Sequence, residues 1–416
     1  MISPVWHPFT QHGLNEPVPL VSRTEGAALH TADGRRIVDA ISSWWVTTHG
    51  HRHPRIMAAI AAETERLDQL IFAGWTHAPA EQLAQELIAI MPAALAHVFY
   101  SDSGSTAVEV ALKMALGYWL NIGEPRHRIL TLAHGYHGDT IGGMSVGARG
   151  VYNRAYQPLL FDVGTLPFPE GDGRSTLDAL EAAARAEDKP AALIVEPLVL
   201  GAGGMLFYEA AVLGEMRAIC ARHGILFIAD EVMTGWGRTG TLLACEQAGV
   251  VPDILCLSKG LTGGAVPLAV TMASAAIYEA HLSDDRGRMF FHSSSYTANP
   301  IACAAAVANL AVWREEPVTE RIATLIERQR VRLARVAALP GVSNARHCGT
   351  IAAMEIGGND GYLADIQPRL YAFFQSRDVL LRPMGNTVYV MPPYCIDEPD
   401  LDRCYDAIAE AAARFA

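Results

Sequence analysis

The sequence predicts an α/β protein in which a large central domain holds a mostly parallel sheet and a smaller α+β domain is built from both termini. Half of the 416 residues are hydrophobic, so the chain can bury a large core. Short apolar runs alternate with longer helical segments through the middle of the chain, and strand-like runs return near both ends. We therefore expect residues 1–50 and 306–416 to form the small domain and residues 51–305 the large one.

The central apolar runs predict strands that are buried on both faces. Most of them are apolar at successive positions, which is typical of parallel strands covered by helices. Between two of these runs, apolar residues from Val108 to Trp119 recur at helical spacing. The predicted strands are residues 97–100, 128–132, 192–195, 225–229, 254–257 and 268–272.

The two ends of the chain have a different pattern. Residues 17–45 predict a small meander with a turn at 32–35. After residue 305, alanine-rich helices lead into strand-like segments at 350–355 and 388–391, and a last helix covers 401–415.

Composition excludes several classes of protein. The net charge of −12 and the lack of a basic cluster argue against a nucleic-acid binder. Seven cysteines without a CxxC pair predict neither a disulfide framework nor a metal site, and they fit a reducing compartment. The first residues lack the pattern of a signal peptide, and the uncharged stretches 260–278 and 289–313 contain glycine, proline or polar residues. We expect a cytoplasmic protein that neither crosses nor binds a membrane and that acts on small molecules.

A phosphate-binding turn is one interpretation of residues 100–106. Gly104 and Ser105 lie between a predicted strand and a long helix, where backbone N–H groups and the helix N-terminus favour an anion. An ordinary helix cap at Ser103 or Ser105 is the alternative.

Two charged residues follow neighbouring predicted strands. Asp230 ends the run 227–229, and Lys259 follows the next run 29 residues later, an interval that suits one helix between parallel strands. A carboxylate there could hold a ring nitrogen protonated, and a lysine there could form a Schiff base. Strand-end solvation, a Mg²⁺-binding acid pair and a surface lysine remain the alternatives.

Tyr136 lies in a glycine-flanked segment, residues 135–140, after another strand. Such flanking glycines let an aromatic ring lie against a planar ligand, although a loop aromatic that packs on the core would look the same. A phosphate cup, a stacking ring, a carboxylate and a lysine together fit pyridoxal 5′-phosphate. A nucleotide-binding P-loop motif does not occur in the sequence.

The chain resembles the class III aminotransferases of fold type I over nearly its whole length. The segment 228–240, followed by Pro252, Asp253, Lys259 and Gly260, is highly specific to that class. Within the class, the sequence looks most like the enzymes of biotin formation that convert 8-amino-7-oxononanoate to 7,8-diaminononanoate with S-adenosylmethionine as amino donor. The segments with this likeness are 6–10, 42–45, 49–50, 76–79, 135–140, 201–205, 382–383 and 391–394.

The resemblance implies a homodimer with shared active sites and a role for each matching residue. It makes Lys259 the Schiff-base lysine and proton carrier, Asp230 the partner of the pyridinium nitrogen, and Tyr136 the ring that stacks on the cofactor. Gly104, Ser105 and Ser294 would bind the cofactor, and Ser295 would bind its phosphate from the partner subunit. The residues implied in substrate binding are Phe9, Trp44, Tyr136, Ser293 and Arg382, with Arg382 on the carboxylate of the keto acid.

Two departures from the family pattern concern the recognition of the amino donor. Phe9 stands where many members carry a tyrosine, and Ser295 stands where others carry a threonine. Lysine as donor, or an ω-aminotransferase acting on another amine, is the alternative within enzymes. The alternative that is not an enzyme is a sensor domain that binds the cofactor without catalysis. Such a domain would be expected to carry an appended DNA-binding segment or to lack the lysine.

Overall fold

The structure is a computed structural model that describes residues 3–358 and 362–415. The strands in this part of the chain are β1 (Val21–Glu25), β2 (Ala28–Thr31), β3 (Arg36–Asp39), β4 (Leu95–Ser101), β5 (Ile129–Leu132), β6 (Gly164–Leu166), β7 (Ala192–Val195), β8 (Val199–Leu200), β9 (Leu206–Phe207), β10 (Leu226–Asp230), β11 (Ile254–Leu257), β12 (Ala269–Ser274), β13 (Val342–Cys348), β14 (Ile351–Ile356), β15 (Val379–Leu380) and β16 (Thr387–Val390).

The α-helices lie between these strands and at the C-terminal end. They are α1 (Ser42–Trp45), α2 (Pro54–Thr64), α3 (Ala78–Ile90), α4 (Gly104–Asn121), α5 (Ile141–Val146), α6 (Arg174–Ala184), α7 (Ala210–His223), α8 (Ala275–His281), α9 (Pro300–Glu315), α10 (Val318–Ala337), α11 (Ile366–Ser376) and α12 (Glu398–Phe415). Within the described ranges, no helix has both the length and the apolar character that a bilayer span requires.

The central sheet has seven strands in the order β4-β12-β11-β10-β7-β5-β6. The prediction of a mostly parallel sheet is confirmed, because β12 is the strand that runs antiparallel to both of its neighbours. The chain between β11 and β12 contains only the 3-10 helix Lys259–Thr262, and a parallel return would need a crossover of a dozen or more residues. The direction of β12 thus follows from its short connection.

Burial explains why the central strands are apolar throughout. Every residue of β5, β7 and β11 is buried, because helices cover both faces of the sheet. On one face, α4 packs Ala107, Val108 and Ala111 against Ile228 of β10 and Cys256 of β11. The predicted helical spacing around Val108 is therefore the buried face of α4.

Segments from the two ends of the chain meet in one small sheet. It has the order β1-β2-β3-β15, and β15 near the C-terminus pairs in parallel with β3 near the N-terminus. A separate antiparallel sheet contains β13, β14 and β16. The domain limits at residues 50 and 305 stay a prediction.

Candidate active site

The candidate site lies at one edge of the central sheet, where several parallel strands end. Asp230 is the last residue of β10, Lys259 follows β11, and Tyr136 follows β5. Carboxyl ends of parallel strands share one edge of a sheet, so topology alone brings these side chains together. They line one cavity of about 150 Å³ together with Gly104 and Ser105.

The turn before α4 has a cap and a second hydroxyl, that of Ser105, which accepts a hydrogen bond from the backbone N–H of Asp139 at 3.3 Å. Ser103 caps the helix, accepting a hydrogen bond from the backbone N–H of Thr106 at 3.3 Å, so Ser105 is not needed for that purpose. The Ser105 hydroxyl lies against Gly138, where a Cβ atom would sit 2.1 Å from Ser105 Oγ. Gly138 also has φ of 107°, which disfavours any side chain. The lack of a side chain at Gly138 therefore keeps space open beside the first turn of α4.

Asp230 is nearly fully buried and its two oxygens have different partners. Oδ1 accepts a hydrogen bond from the backbone N–H of Val232 at 3.1 Å. Oδ2 lies 2.7 Å from Nδ1 of the buried His137. Because a buried carboxylate needs such partners, His137 fixes the orientation of Asp230 toward the cavity. The sequence points to segment 135–140 but predicts no role for His137 within it.

Lys259 has an amine whose environment favours the neutral form. Burial lowers its pKa from 10.5 to about 8, while the carboxylates of Asp230 and Glu196 act in the opposite direction. Its Nζ lies 4.8 Å from the centre of the Trp45 ring. Neutral amines are nucleophiles and bases, so this lysine is suited to both kinds of chemistry near neutral pH.

Glu196 is a site residue that the sequence prediction missed. It follows β7 directly and lies buried in the same cavity. Its carboxylate accepts hydrogen bonds from the backbone N–H groups of Tyr136 at 2.9 Å and Gly201 at 3.0 Å. Burial raises its pKa to about 7. The position of Glu196 in the sequence could have identified it, because Asp230 was also recognised as an acid at the end of an apolar run.

A second cavity of about 420 Å³ opens from Lys259 and is mostly aromatic. Its walls include Phe9, Trp44 and Arg382, for which substrate binding stays a prediction, and also Trp45 and Tyr152. The Arg382 guanidinium lies 5.3 Å from the centre of the Trp44 ring. Trp44 in turn contacts the ring of Phe9 edge-on, with 5.4 Å between ring centres. An arginine above aromatic walls can pair with a carboxylate in a planar, two-point contact.

Trp44 and Trp45 lie on an unusual stretch of backbone. Four successive residues of Ser42–Trp45 have positive φ, at 52°, 45°, 70° and 74°. Left-handed backbone costs a non-glycine residue roughly 1–2 kcal/mol, so surrounding contacts must hold this turn. Arg238 contributes by donating to the carbonyl oxygens of Trp45 and Thr47.

The serines at 293–295 lie outside both cavities in the single chain. The Ser294 hydroxyl donates to the carboxylate of Asp102, and the Ser295 carbonyl accepts from the Gln69 side chain. A role for Ser293, Ser294 or Ser295 at an active site therefore requires a second copy of the chain, and it stays a prediction.

The residues of the smaller cavity fit pyridoxal phosphate. Gly104 and Gly138 leave a cradle that Cβ atoms would fill, with their nearest neighbours at 2.6 and 2.1 Å. Ser105 and the N-terminus of α4 could hold a phosphate, Asp230 a protonated ring nitrogen, and Lys259 an aldehyde. With the cofactor in the smaller cavity, the 420 Å³ cavity stays open for a substrate.

The fold and this arrangement define a transferase of fold type I. The family model described as aminotransferase class-III matches residues 10–412, and the chain belongs to this family. It is 47% identical to adenosylmethionine-8-amino-7-oxononanoate aminotransferase of Synechococcus elongatus, over 98% of this chain and 97% of the relative. The relative from Mycobacterium leprae with the same name is 38% identical over 98% of this chain and 94% of its own length.

Two solved structures are similar to nearly the whole chain. The aminotransferase of the same name from Methanocaldococcus jannaschii has a TM-score of 0.94 at 31% identity, covering 99% of this chain and 97% of that one. An amine transaminase from an uncultivated Pseudomonas species, in a PLP-bound form, has a TM-score of 0.91 at 34% identity, covering 100% and 99%.

Proposed function

We propose that this protein is a pyridoxal-phosphate-dependent aminotransferase of biotin formation. It converts 8-amino-7-oxononanoate to 7,8-diaminononanoate, and S-adenosylmethionine is the amino donor. The names of the relatives support the substrates, and one observation supports the chemistry. That observation is a lysine with lowered pKa and a buried carboxylate lining one cavity at the edge of the sheet.

The net reaction moves one amino group. The donor loses it and becomes a keto compound, and it replaces the keto oxygen of the acceptor. When bound, pyridoxal phosphate supplies an electron-withdrawing ring that stabilises negative charge on the substrate carbon. Lys259 Nζ takes a proton from the carbon that bears the amino group of the donor and later delivers a proton to the former keto carbon of the acceptor, which its pKa of about 8 permits near neutral pH. Asp230, held by His137, places its carboxyl group at a fixed position in the cavity.

The larger cavity selects the keto acid. The Arg382 guanidinium faces this cavity and can pair with the carboxylate at the end of the acceptor. Trp44 and Trp45 line the space between Arg382 and Lys259, where they can contact the aliphatic chain and exclude water.

In a homodimer, the serines at 293–295 of one chain could reach the active site of the other. Several large apolar side chains are exposed in the single chain, among them Trp6 at 90%, Trp75 at 67% and Phe291 at 64%. Burial of such side chains against a second copy would remove apolar surface from water and so favour association. Light scattering should give about twice the chain mass of 44.8 kDa.

A second candidate is an amine transaminase with another donor. The structural likeness to an amine transaminase favours it, as does Phe9, which offers no hydroxyl to a polar donor. The two candidates share the cofactor and Lys259, and they differ in which amines react.

Two experiments test the proposal. Borohydride reduction of the loaded protein fixes pyridoxal phosphate to a lysine, and peptide mapping must choose among Lys113, Lys189 and Lys259, the only lysines in the sequence. Labelling at either of the other two would contradict the assignment. Then the loaded protein is mixed separately with S-adenosylmethionine, lysine and 4-aminobutyrate, and the visible absorbance of the cofactor is followed. We expect S-adenosylmethionine to react; reaction with only one of the others would replace the proposed donor.

A further inference from the structure

We propose that Asp39 and His51 form a positioning pair that holds the left-handed turn Ser42–Trp45 and thereby sets the shape of the substrate cavity. The inference deepens the proposed function, since it names what positions the walls of that same site. Neither residue lines the cavity, so both act through the turn.

The Asp39 carboxylate is completely buried and accepts hydrogen bonds from the first residues of the turn. Its Oδ1 accepts from the backbone N–H of Ser43 at 2.8 Å and from that of Ile41 at 3.4 Å. Its Oδ2 accepts from the Ser43 hydroxyl at 2.8 Å. A side-chain acceptor thus binds backbone at the start of the turn, where the regular helical pattern is interrupted.

His51 supplies the remaining partner of this carboxylate. Its Nε2 lies 2.8 Å from Asp39 Oδ2 and 3.4 Å from the Ser43 hydroxyl. The His51 backbone is fixed in turn, because its N–H donates to the Gly26 carbonyl at 2.7 Å and its carbonyl accepts from the Gly26 N–H at 3.3 Å. The imidazole is thereby anchored to the hairpin of β1 and β2, outside the cavity.

Because the turn carries Trp44 and Trp45, holding the turn in place also fixes two walls of the substrate cavity. Trp45 lies beside Lys259 Nζ, and Trp44 lies between Arg382 and Phe9. If Asp39 loses the His51 donor, a buried oxygen keeps only the Ser43 hydroxyl, and the turn loses part of what offsets its left-handed backbone. Both tryptophans would then shift, while the cofactor cradle at Gly104 and Ser105 stays in place.

The test compares His51→Leu with a matched control in the same chain. His53 is two residues away, similarly buried, and also paired with a carboxylate at 3.1 Å, but that carboxylate belongs to Glu316 between α9 and α10 and not to a residue that binds the turn Ser42–Trp45. We expect His51→Leu to raise KM for donor and acceptor about tenfold, with kcat and cofactor affinity changed less than about threefold. His51→Gln, which retains an N–H donor, should recover most of the loss, and His53→Leu should leave KM unchanged.

Near-ultraviolet circular dichroism gives a readout without turnover. His51→Leu should change the tryptophan signal, and the same substitution in a Trp44→Phe background should change it less, because of the two tryptophans on the turn only Trp45 remains. If His51→Leu does not fold, Ser43→Ala removes another donor to Asp39 and should raise KM in the same way. Unchanged KM and unchanged dichroism in a folded variant would overturn the inference. A wild-type protein that does not convert 8-amino-7-oxononanoate would instead overturn the proposed function, and the dichroism would still test the pair.

Discussion

Replacing Lys259 by methionine should stabilise the protein from which the cofactor has been removed. Methionine has a similar length and needs no hydration, whereas the Lys259 amine is held where its pKa falls from 10.5 to about 8. A pKa lowered by this much corresponds to about 3 kcal/mol of native-state cost. Because part of the side chain faces the cavity, where water screens its charge, we expect a gain of about 1–2 kcal/mol at pH 7.

The sign of the pH dependence makes this prediction specific. Above pH 10.5 the amine is neutral in both the folded and the unfolded chain, so it costs nothing. As the pH falls from 10.5 to about 8, the unfolded chain takes up the proton and the folded chain does not, and the wild type loses stability relative to the variant. Below pH 8 the difference is constant.

Urea unfolding of the two apoproteins at pH 7 and pH 10 measures the difference. Lys189→Met is the control, because this lysine is exposed and its loss should leave the unfolding midpoint unchanged. A Lys259→Met variant no more stable than wild type at pH 7, or one whose gain is as large at pH 10, would refute the reasoning.

The remaining predictions concern the cofactor cradle, the buried carboxylate and the carboxylate subsite. Gly138→Ala places a Cβ 2.1 Å from Ser105 Oγ at a φ of 107°, and should cost about 2–4 kcal/mol in urea unfolding and weaken cofactor binding in a fluorescence titration. Gly150→Ala, with nothing within 4 Å of the new methyl, should do neither. Asp230→Asn keeps the shape but removes the charge, so kcat should fall about 10²-fold or more with KM little changed in steady-state assays; equal losses in KM and kcat would point to misfolding. Arg382→Ala should lose about 10- to 100-fold in kcat/KM for the keto acid but little for its methyl ester; a parallel loss for both would remove Arg382 from the carboxylate subsite.

Residues that follow buried strands could be predicted because their placement needs little beyond local sequence. Lys259, Asp230 and Tyr136 each come within a few residues of an apolar run, and parallel strands place such residues at one edge. Glu196 directly follows β7 and gives the same local signal, so its place at this edge could also be predicted from the sequence. His137 could not be assigned, because nothing local says that its imidazole faces a carboxylate 93 residues away.

The turn that carries Trp44 could not have been predicted by the usual local rules. Positive φ is ordinarily signalled by glycine, asparagine or aspartate, and Ser42–Trp45 contains none of these. Asp39 and His51 lie near the turn in sequence, but other contacts that hold it come from far along the chain: the Met391 carbonyl accepts from the Ser42 hydroxyl, and Arg238 donates to the carbonyl of Trp45. A local sequence rule has no access to partners 349 and 193 residues away. Strain of this kind persists only where the surrounding structure compensates for it, and here it lies where two aromatic walls must face one lysine.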